Sequence, residues 1–159
     1  MEAPPAGRVP DHSQDLPAWF KPSFLDIPED VAEAAGQGKR LMLFFHQDGC
    51  GACQRFYDEN FGDQAIVNTT QRYFDVVAID INGNRALVDM QGRDSYENQF
   101  ARRIKGQVTP TVMFLNERAE IILRIPGFIP RERFMQALKY VAEHREQQLG
   151  FDEYLERQR

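Results

Sequence analysis

The chain has 159 residues, 42% hydrophobic and 27% charged, with 12 Phe among them, which is the size and composition of one soluble globular domain with a bulky core. Its 24 acidic and 19 basic residues leave a net charge of −5, which argues against a general affinity for nucleic acid. No apolar run approaches the roughly 20 residues of a membrane span, so insertion of the chain into a bilayer is not expected.

The opening, MEAPPAGRVPDHSQDLP, has neither a basic n-region nor an apolar h-region and is not a secretory signal. That absence fits a cytoplasmic protein, but a small, Pro-rich opening behind a lone Met also fits a mature exported protein whose signal has been removed. With Pro4, Pro5, Pro10, Pro17 and Pro22, residues 1–24 are expected to be extended or mobile, ahead of a domain at 25–146 and a tail at 147–159.

IPEDVAEAAGQG predicts a short helix from Pro28, with acids in its first turn and Gly at its end. RLMLFF is a continuous apolar run that suits a strand buried on both faces. CQRFYDENF and DQAIVNTTQRYF read as helices with a break near Gly62, and FDVVAIDI reads as a second buried strand. NGNRALVDMQGRDS is rich in turn formers and predicts a loop or short hairpin. SYENQFARRIK follows as a helix with Tyr96, Phe100 and Ile104 on one face. PTVMFL and EIILRI are strands around the turn NERA, and PRERFMQALKYVAEHREQQ is a long amphipathic helix. The tail from Gly150 shows no anchor. The first two strands, joined through helix, should be parallel, and the last two an antiparallel hairpin. The fold class is therefore α/β, a mixed central sheet flanked by helices.

The only two cysteines, Cys50 and Cys53, lie between the first strand and the helix after it. At a helix start, unpaired N–H groups and the helix dipole stabilise a thiolate, which makes Cys50 the nucleophile. Cys53, one turn on, is placed to attack a mixed disulfide formed at Cys50, and Gly51 and Ala52 leave the first sulfur uncovered. A structural disulfide is an alternative, but so small a loop stabilises little. Zinc is another, yet the remaining candidate ligands, His12, His46 and His144, lie in scattered contexts. No metal and no bound cofactor is expected beyond the Cys50–Cys53 redox pair itself.

VTPT at 108–111 stands just before the hairpin. A cis Thr109–Pro110 bond there would expose backbone groups to an extended substrate segment, whereas a trans Pro would merely start the strand. His46 is either a core histidine or a group that lowers the thiol pKa of Cys50. Arg102, Arg103 and Lys105 read as a solvated helix face or as a contact for an acidic partner tail. Asn68-Thr69-Thr70 matches a glycosylation acceptor.

Strand, C-x-x-C helix, strand, helix, T-P-T before a hairpin, Gly127 and a closing helix together resemble the thioredoxin superfamily over about residues 25–145. FFHQDGCGAC, the segment VAIDINGNRALVDMQGRDSYENQFARRIKGQVTPT and LRIPGF look like the SoxW-type periplasmic thioredoxins of bacterial sulfur oxidation. The resemblance implies that Cys50 attacks, Cys53 resolves, Pro110 is cis, and Thr109, Pro110 and Gly127 meet the substrate. It also implies a periplasmic protein, a monomer in expectation, that reduces oxidised partner proteins, a SoxY-like sulfur carrier among them. Electrons would come from a membrane thiol transporter of the DsbD/CcdA kind. The same cysteines would serve a disulfide oxidase or isomerase, or persist as an inert bridge in a binding module.

The sequence departs from the superfamily pattern at three points. Gly49 replaces the customary Trp before the first Cys, and Gly-Ala replaces Gly-Pro between the two. Phe44 stands where a buried Asp usually serves as proton acceptor, which leaves Asp48, Glu59 or water as substitutes. The segment from Asn82 to Ser95 is expected to contribute to partner choice.

Overall fold

The computed structural model describes residues 16–158. Its centre is a four-stranded sheet in the order β2-β1-β5-β6. Strand β1 (Arg40–His46) runs parallel to β2 (Phe74–Asp80) and antiparallel to β5 (Thr111–Leu115), which pairs antiparallel with β6 (Ile121–Pro126). The parallel pair and the antiparallel hairpin are those expected from the helical and tight-turn connections. Helices α1 (Ile27–Gly36) and α4 (Glu97–Arg103) cover one face, while α2 (Gly51–Glu59), α3 (Gln64–Tyr73) and α5 (Arg131–Ala142) cover the other.

Every residue of β1 is buried, because the strand feeds two cores at once. Met42 and Phe44 point to the core that holds Phe56, Ile66 and Phe134, and Leu41, Leu43 and Phe45 to the one that holds Val31, Phe100 and Ala101. The period of two along a strand makes that division, and the need for apolar residues on both faces explains the unbroken run. Phe56 meets Phe44 at 5.4 Å and Phe134 at 4.9 Å, edge to face, so α2 is fixed against the sheet by an aromatic anchor. Truncating such a side chain costs about 3–5 kcal/mol.

Local signals set most helix starts. The Asp26 side chain accepts from Glu29 N–H at 3.2 Å to cap α1, and Asp63 accepts from the N–H groups of Ala65 and Ile66 to cap α3. The segment from Asn82 to Ser95 forms most of a hairpin of β3 (Ala86–Val88) and β4 (Asp94–Tyr96). Two buried carboxylates hold it. Glu97 accepts from Asp80 N–H at 2.9 Å and pairs with Arg85 at 2.8 Å, and Asp89 accepts from the N–H groups of Gln91 and Arg93.

Three regions differ from the sequence expectation. The tail does have an anchor: α6 (Phe151–Arg157) buries Tyr154, which packs against Tyr140 at 5.1 Å. The helix expected over 130–148 stops at Ala142, because His144 turns left-handed at φ 57° and starts a short 3₁₀ turn at Arg145–Gln147. In the opening segment, residues 16–24 are not loose. Trp19 and Phe20 pack edge to face on Phe61, and Lys21 N–H donates to Val76 at 2.7 Å along the outer side of β2. That contact covers part of a sheet edge. Residues 1–15, including His12, lie outside the described residues.

Candidate active site

Strand β1 delivers the chain to the site. After His46 the backbone turns through Gln47, Asp48 and Gly49, and Gly49 has φ 70°, a left-handed conformation that glycine adopts without steric cost. Cys50 is then the N-cap of α2, and its Sγ accepts from Cys53 N–H at 3.0 Å. Sulfur thus takes the place of the usual capping oxygen at the positive end of the helix.

Cys50 and Cys53 are joined as a disulfide, with their Cα atoms 5.2 Å apart. Their exposure is unequal. Cys53 is buried against the sheet at 2% exposure, Cys50 is partly exposed, and Gly51 and Ala52 between them are exposed. The two cysteines, His46, Gln54 and Tyr57 line one open cavity of about 230 Å³. A partner sulfur approaching from solvent meets Cys50 first.

A second loop faces this corner. The Thr109–Pro110 peptide bond is cis, and Pro110 is buried at the foot of β5. The loop is tied down at three points: Gln47 Nε2 donates to Thr109 Oγ1 at 2.8 Å, the Thr111 hydroxyl donates to the Val108 carbonyl, and Gly127 N–H donates to the Pro110 carbonyl at 2.7 Å. Gly127, at φ 82°, therefore abuts the proline loop through its backbone. Gln47 also accepts from Asn82 Nδ2 at 3.3 Å, which links the loop after β2 to the same corner. Sequence reasoning missed Gln47, since nothing distinguishes it from any polar residue at a strand end.

His46 is 3% exposed and lies opposite Asp80 in the parallel register of β1 and β2. Phe44, one pleat deeper, is fully buried among Phe56, Phe61 and Tyr57, so an aromatic ring fills the position where the superfamily keeps its Asp. Glu59 sits in the last turn of α2, exposed and paired with Arg55 at 2.6 Å, away from the sulfurs. Asp48 is exposed on the turn before Cys50. Among the described residues no three His, Cys, Asp or Glu side chains are grouped to hold a metal ion, and His144 lies far along the chain beside Arg40. The Asn68 acceptor motif lies within α3, with Thr70 fully buried. No helix among the described residues is long and apolar enough to cross a membrane.

Comparison with known proteins bears on this geometry. The model of the thioredoxin-like domain family matches residues 27–142. The thiol:disulfide interchange protein DsbD of Actinobacillus pleuropneumoniae is 27% identical over 106 residues, 65% of this chain and 16% of that protein. The chain thus spans about a sixth of the length of that relative. Among solved structures, a thioredoxin-fold protein from Helicobacter pylori superposes with a TM-score of 0.68 at 20% identity, over 88% of this chain and 86% of that one. A thioredoxin from Thermus thermophilus gives 0.58 at 27% identity, over 74% and 84%. With its C-x-x-C pair at the head of α2, the chain belongs to the thioredoxin-like domain family.

Proposed function

We propose that the chain works as a periplasmic reductase of protein disulfides or thiol conjugates. The observation that carries this reading is the unequal exposure of the two sulfurs at the head of α2. In the reduced protein the Cys50 thiolate attacks one sulfur of the partner disulfide, a Cys50–partner bond forms, and the other partner sulfur leaves as a thiolate that takes up a proton. The Cys53 thiol then loses its proton and attacks Cys50 Sγ. The partner's remaining sulfur leaves, and the Cys50–Cys53 disulfide forms as two electrons pass to the partner.

The supporting residues follow from the same corner. Gly51 and Ala52 keep the approach to Cys50 clear. Thr109, Pro110 and Gly127 form the wall against which an extended partner segment lies. His46 lines the same cavity as the two sulfurs, where it favours the Cys50 thiolate. The likeness of FFHQDGCGAC and LRIPGF to SoxW-type thioredoxins favours a sulfur-carrier protein of the SoxY kind as partner. The likeness to a thiol:disulfide interchange protein favours an exported chain recharged by a membrane thiol transporter.

Dithiol-driven insulin reduction tests the cysteines. Cys50→Ser abolishes turnover on this account, and Cys53→Ser accumulates a mixed disulfide with the partner; turnover that survives Cys50→Ser contradicts it. Direction is tested by equilibration in a glutathione buffer. A potential near thioredoxin's, about −270 mV, supports the reductase, whereas one near DsbA's, about −120 mV, makes the protein a disulfide donor.

A further inference from the structure

Beside the proline loop the structure gathers positive charge on a chain whose net charge is −5. Arg102 and Arg103 end α4, Lys105 follows it, and Arg124 arrives from β6 to donate to the Ile104 carbonyl at 2.9 Å. All four are exposed. Arg103 shares Asp89 with Arg93, each at 3.5 Å, while Arg102, Lys105 and Arg124 form no ion pair with a described residue.

Helix capping accounts for part of this, since cations in a last turn complement the dipole. It does not account for Lys105, which lies past the cap at φ 62°, a left-handed position that ordinarily takes glycine. Nor does it account for Arg124, which belongs to another element. Two features therefore meet on one basic edge: a lysine held where glycine is easier, and an arginine drawn in from β6.

The edge leads into the proline loop that is tied to the cysteine cavity. Gly106 is pressed on the Phe45 ring, where an added Cβ would come within 2.7 Å of ring carbons, and Thr109 is tied to Gln47 of the cysteine cavity. Lys105 and Thr109 are four positions apart, which bounds their Cα separation at about 14 Å. Between them stands Val108, 57% exposed and apolar. At physiological salt, charges separated by more than about 8 Å are largely screened. A partner docked here feels this local edge, and Asp48 beside the sulfurs, more than the distant acidic residues of the chain.

We propose that this edge selects partner segments with carboxylates on one flank of the reactive cysteine, up to about four residues away, and an apolar residue beside the sulfur. The inference rests on the reading of Cys50–Cys53 as an exchange centre and adds the chemical class of its protein substrates. Acidic segments gain in association rate through steering, and the gain falls as salt rises.

The test uses the full chain, reduced, against three disulfide-linked peptides that differ only in carrying Glu, Gln or Lys within four residues of the cysteine. The Glu peptide is expected to react at least about tenfold faster than the Lys peptide at low salt. The preference is expected to shrink in 0.5 M salt and to vanish or invert in Arg102→Glu/Lys105→Glu, with Lys105→Glu alone showing part of the loss. Hydroxyethyl disulfide, small and uncharged, should react equally with all variants, whose circular dichroism should match the unaltered protein. Equal rates for the three peptides in the unaltered protein, or a preference that survives both variants, overturn the proposal while hydroxyethyl disulfide turnover leaves the exchange centre standing. Loss of binding to anionic vesicles in the variants, with peptide rates unchanged, overturns it in favour of a lipid surface. Failure of every disulfide to react overturns the exchange reading and this inference together.

Discussion

The two ends of β1 treat polar groups in opposite ways. At its start, Arg40 is 4% exposed and fully engaged: it donates to the Val141 carbonyl at 2.8 Å, to Glu146 at 2.9 and 3.0 Å, and to Glu117 at 3.0 and 3.2 Å. At its finish, His46 and the cysteines border an open cavity, and the covering residues Gly51 and Ala52 are as small as residues come. One end closes the chain, holding the turn after β5, the end of α5 and the 3₁₀ turn in a single network. The other leaves sulfur within reach. A rigid strand with a locked base can present a reactive tip without that tip having to stabilise the fold.

Substitutions at each end should separate the two roles. The largest effect on chemistry is expected at the tip, where Cys50→Ala removes all disulfide turnover while the folded protein keeps its circular dichroism and melting profile close to those of the reduced parent. At the base the order reverses. Arg40→Ala leaves Glu146 partly buried without its partner and should cost about 3–5 kcal/mol in denaturant unfolding, with exchange kinetics of the folded fraction unchanged. If Arg40→Ala instead slowed exchange without loss of stability, the contrast between the ends would fail.

A smaller effect should follow pH. The hydrogen bond from Arg40 holds the Glu117 carboxyl below its usual range, and the guanidinium charge adds to it. For Asp89, burial alone would raise the pKa, but hydrogen bonds from the Arg93 and Gln91 N–H groups and the charges of Arg93 and Arg103 outweigh it, so the value is lowered. A carboxylate whose folded pKa is depressed contributes stability above its unfolded pKa, and that contribution is lost as pH falls through the folded value. Stability should therefore drop on acidification below the ordinary carboxylate range, and Asp89→Asn should flatten the drop. A chemical-denaturation series from pH 7 to pH 3 reads both.

The smallest effect is expected at Gln47. Gln47→Ala removes two hydrogen bonds that tie the proline loop and Asn82 to the site, and should cost about 1 kcal/mol of stability. Its sharper readout is KM for a protein disulfide, which should rise with little change in turnover of a small disulfide.

Much of this was legible in the sequence. Leu41 to Phe45 of β1 appear as an apolar run because both faces are covered, and the cysteines announce themselves by standing between that strand and a helix. Other features depend on contacts that no local window contains. Tyr154 anchors α6 only because Tyr140 and Phe151 converge on it. The break after α5 has no Gly or Pro to mark it, since His144 adopts the left-handed conformation without either. The strands of the small hairpin have three residues each, too few to show a period of two. Arg40 reads as a solvated charge before a strand, and only the fold brings Glu117 and Glu146 to it across 77 and 106 residues of sequence. At the site, the cysteines were visible by pattern, whereas Gln47 and the arrival of Arg124 beside the proline loop belong to tertiary structure alone.

The central claim is that Cys50 is the reactive sulfur of a redox pair. Its most direct test is the alkylation rate of each cysteine in the reduced protein, resolved by mass spectrometry between pH 5 and pH 9. The account predicts that Cys50 is modified first and remains reactive on the acidic side of an ordinary thiol, while Cys53 lags throughout. Faster modification of Cys53, or silence of both sulfurs across the range, would contradict it.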